Sequence, residues 1–437
     1  MWRQKVLRSS RGGVRAVAFG LAGLMALAAI PSRALLAQGR IAPPDSVGPE
    51  VRTEDSGIWF RSADGKRGAR IGGYLDIDTR FFMSDSGDAQ SNMFAIRRAR
   101  LILDFNINPW FAVQLLPDFD KDGKVELQDA YADIGFGSRW WMRVGKMTPP
   151  MGQERWTLNS DQFFPERSLG SLVTPDRDVG VMLTGEMMRG HVETAFGVFN
   201  GGPDNVTNEG ETNDSKDVAV RVTWRPLIRG KGKLAQGWGI GFNGTTGLEH
   251  GLTGNSQLPS YKTPGGLTWF AYKESTGALA DGRRDRAGWF GYVHLGAFGA
   301  NAEWTHEGAD VRLGATHTRV ASDGWSAVGD WVVTGEPSSQ AGITPARAFD
   351  PEKGAWGAVQ IVARVSAVTI GPAAFPAVAS STTAARRASA LSAGANWYFT
   401  RNTKLQASLE HTTFELGALT GDRRAEDYGL LRLQLFF

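Results

Sequence analysis

A two-residue period, renewed in segments of about ten residues from Ile71 to the last residue, limits what this chain can fold into more than any other feature. In "GYLDIDTRFF" (73–82), Leu75, Ile77, Thr79 and Phe81 fall on one face and Asp76, Asp78 and Arg80 on the other. "RRARLILDFNI" (97–107) sets Ala99, Leu101, Leu103, Phe105 and Ile107 against Arg98, Arg100, Asp104 and Asn106. The period returns in "KDVAVRVTW", "AVQIVARVSAV" and "KLQASLEHT". Alternate residues of a strand point to opposite sides, so each segment reads as a strand with one apolar and one polar face. A soluble sandwich would bury the apolar face in a core. A membrane barrel would turn it to lipid and wet the polar face in its lumen.

The ends of the chain favour the barrel. "YGLLRLQLFF" (428–437) is a strand without a polar tail, where most globular chains fray. Leu431, Leu433, Leu435 and Phe437 form a row that lipid could face, with Arg432 and Gln434 opposite. Residues 1–37 read as a cleaved export signal. Arg3, Lys5, Arg8, Arg11 and Arg15 precede the apolar stretch Ala16–Ile30, and small residues follow up to Ala37. That stretch is shorter than the ~20 residues of a spanning helix, and no later run reaches eighteen apolar residues. Strands closed into a barrel are then the remaining way across a bilayer.

Removing the signal also changes the charge. Residues 1–37 hold six Lys and Arg and no acid, which leaves 42 basic against 45 acidic residues, a net of −3. Bulk charge therefore gives no support for a nucleic-acid partner. The absence of cysteine excludes disulfides, thiolate metal sites and cysteine nucleophiles.

The expected fold is all-β: an irregular arm over 38–70, then a transmembrane antiparallel barrel of roughly sixteen strands over 71–437. Short periplasmic turns such as "NINPW", "GFGSR", "MMRGH", "GAFGAN" and "FTRNTK" alternate with longer extracellular stretches. The latter include "MSDSGDAQSN", "PDFDKDGK", residues 147–176, "NGGPDNVTNEGETNDSKD" and residues 248–284.

Several blocks resemble the phosphate- and pyrophosphate-selective outer-membrane porins of the O and P type. They are "RRARL" (97–101), "KVELQDAYADI" (124–134) and, most specifically, "VGKMTPPMGQERWTLNSDQFFPERSLGSLVTPDRDVGV" (144–181). "YKTPGG", "VVTGE", "RAFDPEKGAWGAVQIVAR" and "NWYFTRNTKLQ" extend the resemblance along most of the chain. It implies a homotrimer of sixteen-stranded barrels in a Gram-negative-type outer membrane, with the third and fifth loops folded inward to narrow the pore. It also implies passive passage of small anions, phosphate or pyrophosphate first, and recognition of Phe437 by the barrel-assembly machinery.

Rings of Arg or Lys select anions because they replace hydration with charge-assisted hydrogen bonds. The stretch 147–176 is too long for a plain hairpin connection, and four prolines stiffen it. Folded inward, it would offer Lys146, Arg155, Arg167 and Arg177. Lumen parity adds Arg80, Arg98, Arg100, Arg143, Arg221, Arg225 and Arg364 as a possible ladder, and the fifth-loop region contributes Lys262 and Lys273. The competing structural account pairs the wall arginines with Asp76, Asp78, Asp104, Glu126 and Asp217, and the loop arginines with Glu154, Asp161, Glu166, Asp176 and Asp178.

"DFDKDGKVELQD" matches an EF-hand loop at Asp118, Asp120 and Asp122, yet its flanks read as strands rather than helices. No metal or other cofactor is expected. The six histidines are scattered, and no nucleophile–base set or phosphate loop appears, so an enzyme is not expected. Two other functions fit the same strand pattern: a general porin of low selectivity, and a structural or adhesin-like barrel with a closed lumen.

Overall fold

The computed structural model describes residues 50–54, 57–83, 91–121, 124–208, 210–228 and 237–437. The expected export signal lies outside these residues. The main sheet has eighteen strands, of which sixteen close a barrel and two form an N-terminal hairpin. Each barrel strand pairs antiparallel with the next, and the last, Glu426–Phe436, pairs with the first, Gly68–Phe82. Closure removes both sheet edges and satisfies the backbone without water.

The side chains are inverted relative to a soluble protein. Ile77, Phe81, Leu101, Val181, Leu391 and Leu409 are exposed, whereas Asp76, Asp78, Arg98, Arg286 and Arg432 are buried. An outer apolar band around a polar interior is the arrangement a lipid-embedded barrel requires. Aromatic rows mark its limits. Phe242 faces Trp289, Trp289 faces Trp304, and Trp304 faces Trp325 across successive strands. Nearer the opposite rim, Phe298 and Trp331 stack with ring centres 5.9 Å apart.

Three local expectations are corrected. The arm expected to be irregular contains a hairpin, Glu50–Glu54 with Gly57–Arg61. Its second strand pairs with Gly68–Ile71 and continues the sheet past the end of the last barrel strand. The cause is a short alternation in "GIWFR": Trp59 is buried while Ile58 and Phe60 are exposed. The stretch "PDFDKDGK" is not a long loop, because one strand runs to Lys121 and the next begins at Lys124. Conversely, the connection 333–357 lies at the short-turn end yet is long. It folds back on the barrel, with Ile343 buried against Val332, Ala358 and Tyr398.

Candidate functional site

The segment 148–177 leaves the strand Trp140–Met147, crosses the barrel interior and returns at Asp178. The opposite wall holds it by hydrogen bonds to its backbone. Glu303 accepts from the amides of Gln153 (2.6 Å) and Glu154 (3.3 Å). Lys404 Nζ donates to the carbonyls of Ser160 (3.0 Å) and Gln162 (3.1 Å), and Asn396 donates to that of Phe163 (2.9 Å). Arg364 donates to the Glu166 carbonyl at 2.9 Å, with Phe164 packed under its guanidinium. Backbone groups of a loop packed against the wall lose their access to water there and must find wall partners.

Glu166 is the strongest anchor. Arg97 grips it with two bonds (2.9 and 3.2 Å), Arg432 donates to it at 2.6 Å, and Arg98 lies 4.0 Å away. Burial alone would raise this carboxyl, but Arg97, Arg432 and Arg98 hold it well below the ordinary carboxylate range. Strict alternation from Arg98 would place Arg97 outward. A bulge between the pairs Asp76–Arg98 and Ile77–Ile96 leaves Arg97 unpaired in the ladder and turns it inward. The sequence does carry the sign. Outward apolar residues fall at Phe94 and Ile96, then at Ala99 and Leu101, a change of parity across the Arg97–Arg98 doublet.

The tip of this loop builds an apolar core inside the barrel. Leu169, Leu172 and Val173 pack with Tyr261, Trp269 and Phe270 from the segment 251–277 and with Val320 and Ile370 of the wall. Gly170 lies so close to the wall that a Cβ would sit 2.6 Å from the backbone carbon and oxygen of Trp325. One part of the lumen is therefore filled by protein.

A cavity lies between the loop and the neighbouring wall strands. Arg100, Arg143, Arg155, Arg167, Arg177 and Arg221 line it, together with Arg139 at a short turn, against Asp129, Asp133, Glu186 and Glu193. Most of these cations are braced: Arg100 by Asp118 (2.8 Å), Arg143 by Asp133 (2.9 Å) and Arg177 by Asp129 (3.1 Å) and Asp176 (2.8 Å). Arg155 meets Asp176 at 3.3 Å and Asn205 at 2.6 Å. Burial raises Asp176, but Arg155, Arg177 and Arg167 more than compensate and hold its carboxyl below the usual range.

Two of the cations differ. Arg167 donates to the Asn159 amide oxygen at 2.8 Å, and no carboxylate of the described residues lies within ion-pair distance. Burial, with Arg155 next in weight, pushes its guanidinium down to about 9, so it remains charged at neutral pH. Arg221 bonds to the Gln153 side chain and lies 3.9 Å over the Phe290 ring, again without a carboxylate at that range among the described residues.

The remaining expected site residues stand elsewhere. Arg80 meets Asp78 at 3.5 Å, Arg98 meets Asp76 at 2.7 Å, and Arg225 meets Glu193 at 2.6 Å. Arg364 bridges Glu154 and Glu410 behind the loop. Lys146 is buried and does not line the cavity. Lys262 is exposed, and Lys273 donates to the Pro376 carbonyl. Of the calcium-loop residues, Asp118 is taken by Arg100, Asp120 shares its strand Phe111–Lys121, and Asp122 lies outside the described residues.

A family model described as phosphate-selective porin O and P matches residues 70–415. The chain belongs to that family. None of the curated proteins compared with it matches. Among solved structures it is similar to the outer membrane channel DcaP of Acinetobacter baumannii, at 9% identity over 87% of this chain and 100% of that one, with a TM-score of 0.55. It is also similar to the anion-selective porin from Comamonas acidovorans, at 9% identity over 85% and 100%, TM-score 0.53. A loop L8 deletion mutant of OmpT, an outer membrane protein of Vibrio cholerae, gives 10% identity over 84% and 99%, TM-score 0.51. At such identities the likeness carries the fold alone. Family and fold together make this chain an outer-membrane porin.

Proposed function

We propose that this porin passes small anions, with phosphate and pyrophosphate as the leading class, through the cavity between the segment 148–177 and the wall. The observation that carries this reading is the pair Arg167 and Arg221, which face the cavity without a carboxylate at ion-pair distance among the described residues. Guanidinium groups held in place but not neutralised are suited to forked hydrogen bonds with phosphate oxygens. One fold relative is itself an anion-selective porin. Family membership supports assembly as a homotrimer, and Phe437 is our candidate for recognition by the barrel-assembly machinery.

The second reading, a porin of low selectivity, is favoured by the braced cations. Arg98, Arg100, Arg143, Arg177 and Arg432 each share a carboxylate, so much of the wall charge cancels locally. Bilayer recordings in asymmetric KCl separate the two readings. We expect an anion-favouring reversal potential that Arg167→Ala and Arg221→Ala each shift toward zero, and a chloride current that millimolar phosphate blocks less well in either variant. A cation-favouring potential in the unmodified protein would overturn the anion reading.

A further inference from the structure

Lumen positions in a porin are ordinarily polar, because they face water. Six adjacent strands of this barrel carry apolar or aromatic side chains at lumen positions. Ile102, Leu116, Tyr131, Met147, Met182 and Ala195 are buried inward-facing residues, and all of them line the cavity that contains Arg167 and Arg221. Their strands are consecutive in the barrel, running from Met93–Asn108 to Val192–Phe199. The cavity is thus amphipathic, with guanidinium groups and an apolar wall bounding the same space.

Loop packing explains only part of that patch. Trp156 of the loop packs against the cluster of Tyr131, Met147, Met182 and Ala195, and Arg143 lies 3.6 Å over the Tyr131 ring, yet Met147, Met182 and Ala195 still line the cavity. A strongly hydrated inorganic ion gains nothing from such a surface, since apolar groups cannot replace the water it gives up. A solute carrying both an anionic group and a compact apolar body would use both parts. Its charged end would meet Arg167 and Arg221 while its body is removed from water against Met182 and Ala195.

We infer that the cavity also takes organic anions with a compact apolar body, such as aryl phosphates or aryl carboxylates, and holds them more tightly than inorganic phosphate. This rests on the anion reading above and specifies the solute class of the same cavity. The test compares phenyl phosphate with inorganic phosphate as blockers of chloride current at about pH 8.5, above the second pKa of a phosphate monoester. The two share a headgroup, so their ratio isolates the ring. We expect phenyl phosphate to block at a concentration about tenfold lower, as burial of part of a phenyl ring warrants.

Met182→Asn and the milder Ala195→Ser should each bring that ratio close to one. Leu183→Ala, on the lipid face of the same strand, should leave it near ten. Equal block by the two compounds in the unmodified protein would overturn the inference, as would a ratio untouched by both wall variants. Either result can occur with an anion-favouring reversal potential, and then the anion reading survives. A cation-favouring potential would remove both.

Discussion

Arg432 makes plain what a charge inside this barrel costs and what it secures. Its guanidinium is fully buried, bonded to Asp78 at 2.6 and 2.8 Å and to Glu166 at 2.6 Å, with Asp76 3.6 Å away. Removing one partner from such a cluster leaves a buried charge uncompensated, at a cost of about 3–5 kcal/mol. Glu166→Gln should therefore release the loop from the barrel seam and give larger, noisier single-channel currents at neutral pH. The pH dependence follows from the same contacts. The carboxyl of Glu166 titrates below its ordinary value of 4.5, so its anchoring is complete above that value and is lost only as the pH falls through the depressed one. The conductance difference between the unmodified protein and Glu166→Gln should therefore hold constant from neutral pH down to about 4.5 and shrink below it. A difference that already shrinks between pH 7 and pH 5 would show that Glu166 is not held ionised by Arg97, Arg432 and Arg98.

The loop and the wall strand meet as elements at the turn Leu169–Val173, packed on the strand Thr316–Val332. Gly170 is required there by close approach rather than by backbone conformation, because its Cβ would strike the carbonyl of Trp325. Gly170→Val should lift the turn, break the apolar contacts of Leu169 and Val173, and raise conductance. An unchanged conductance would mean that this contact does not set the width of the channel. The existence of such a loop was legible in its length and its prolines. Its partners were not, because Leu169 and Trp269 are far apart in sequence and no local period links them. Arg97 shows a similar limit at the level of one strand. Alternation places a side chain correctly only until a bulge shifts the parity, and here the shift moves a cation from lipid to lumen.

For the whole molecule, alternation specified two-faced strands, and the export signal, the apolar closing strand and the alternation of short and long connections separated a barrel from a sandwich. Which arginines are struts and which are free to meet a solute depends on cross-strand and loop contacts that parity does not encode. Arg98 and Arg221 look alike in sequence, yet one is paired with Asp76 and the other has no carboxylate at ion-pair distance among the described residues. The closing seam concentrates this dependence on long-range contacts. The amide of Gly73 donates to the Phe437 carbonyl at 2.7 Å, and the amide of Phe437 donates back to Gly73 at 3.0 Å. The ring of Phe437 lies directly over Gly73, in space that a Cβ would occupy. Gly73→Val should displace that ring, and deletion of Phe437 should remove it with both hydrogen bonds. Either change should lower the fraction of protein that migrates as a compact, heat-modifiable barrel on a gel, the deletion more severely. Assembly of the shortened chain at the unmodified level would show that the remaining register, Tyr74–Phe82 against Tyr428–Phe436, closes the barrel without its last residue.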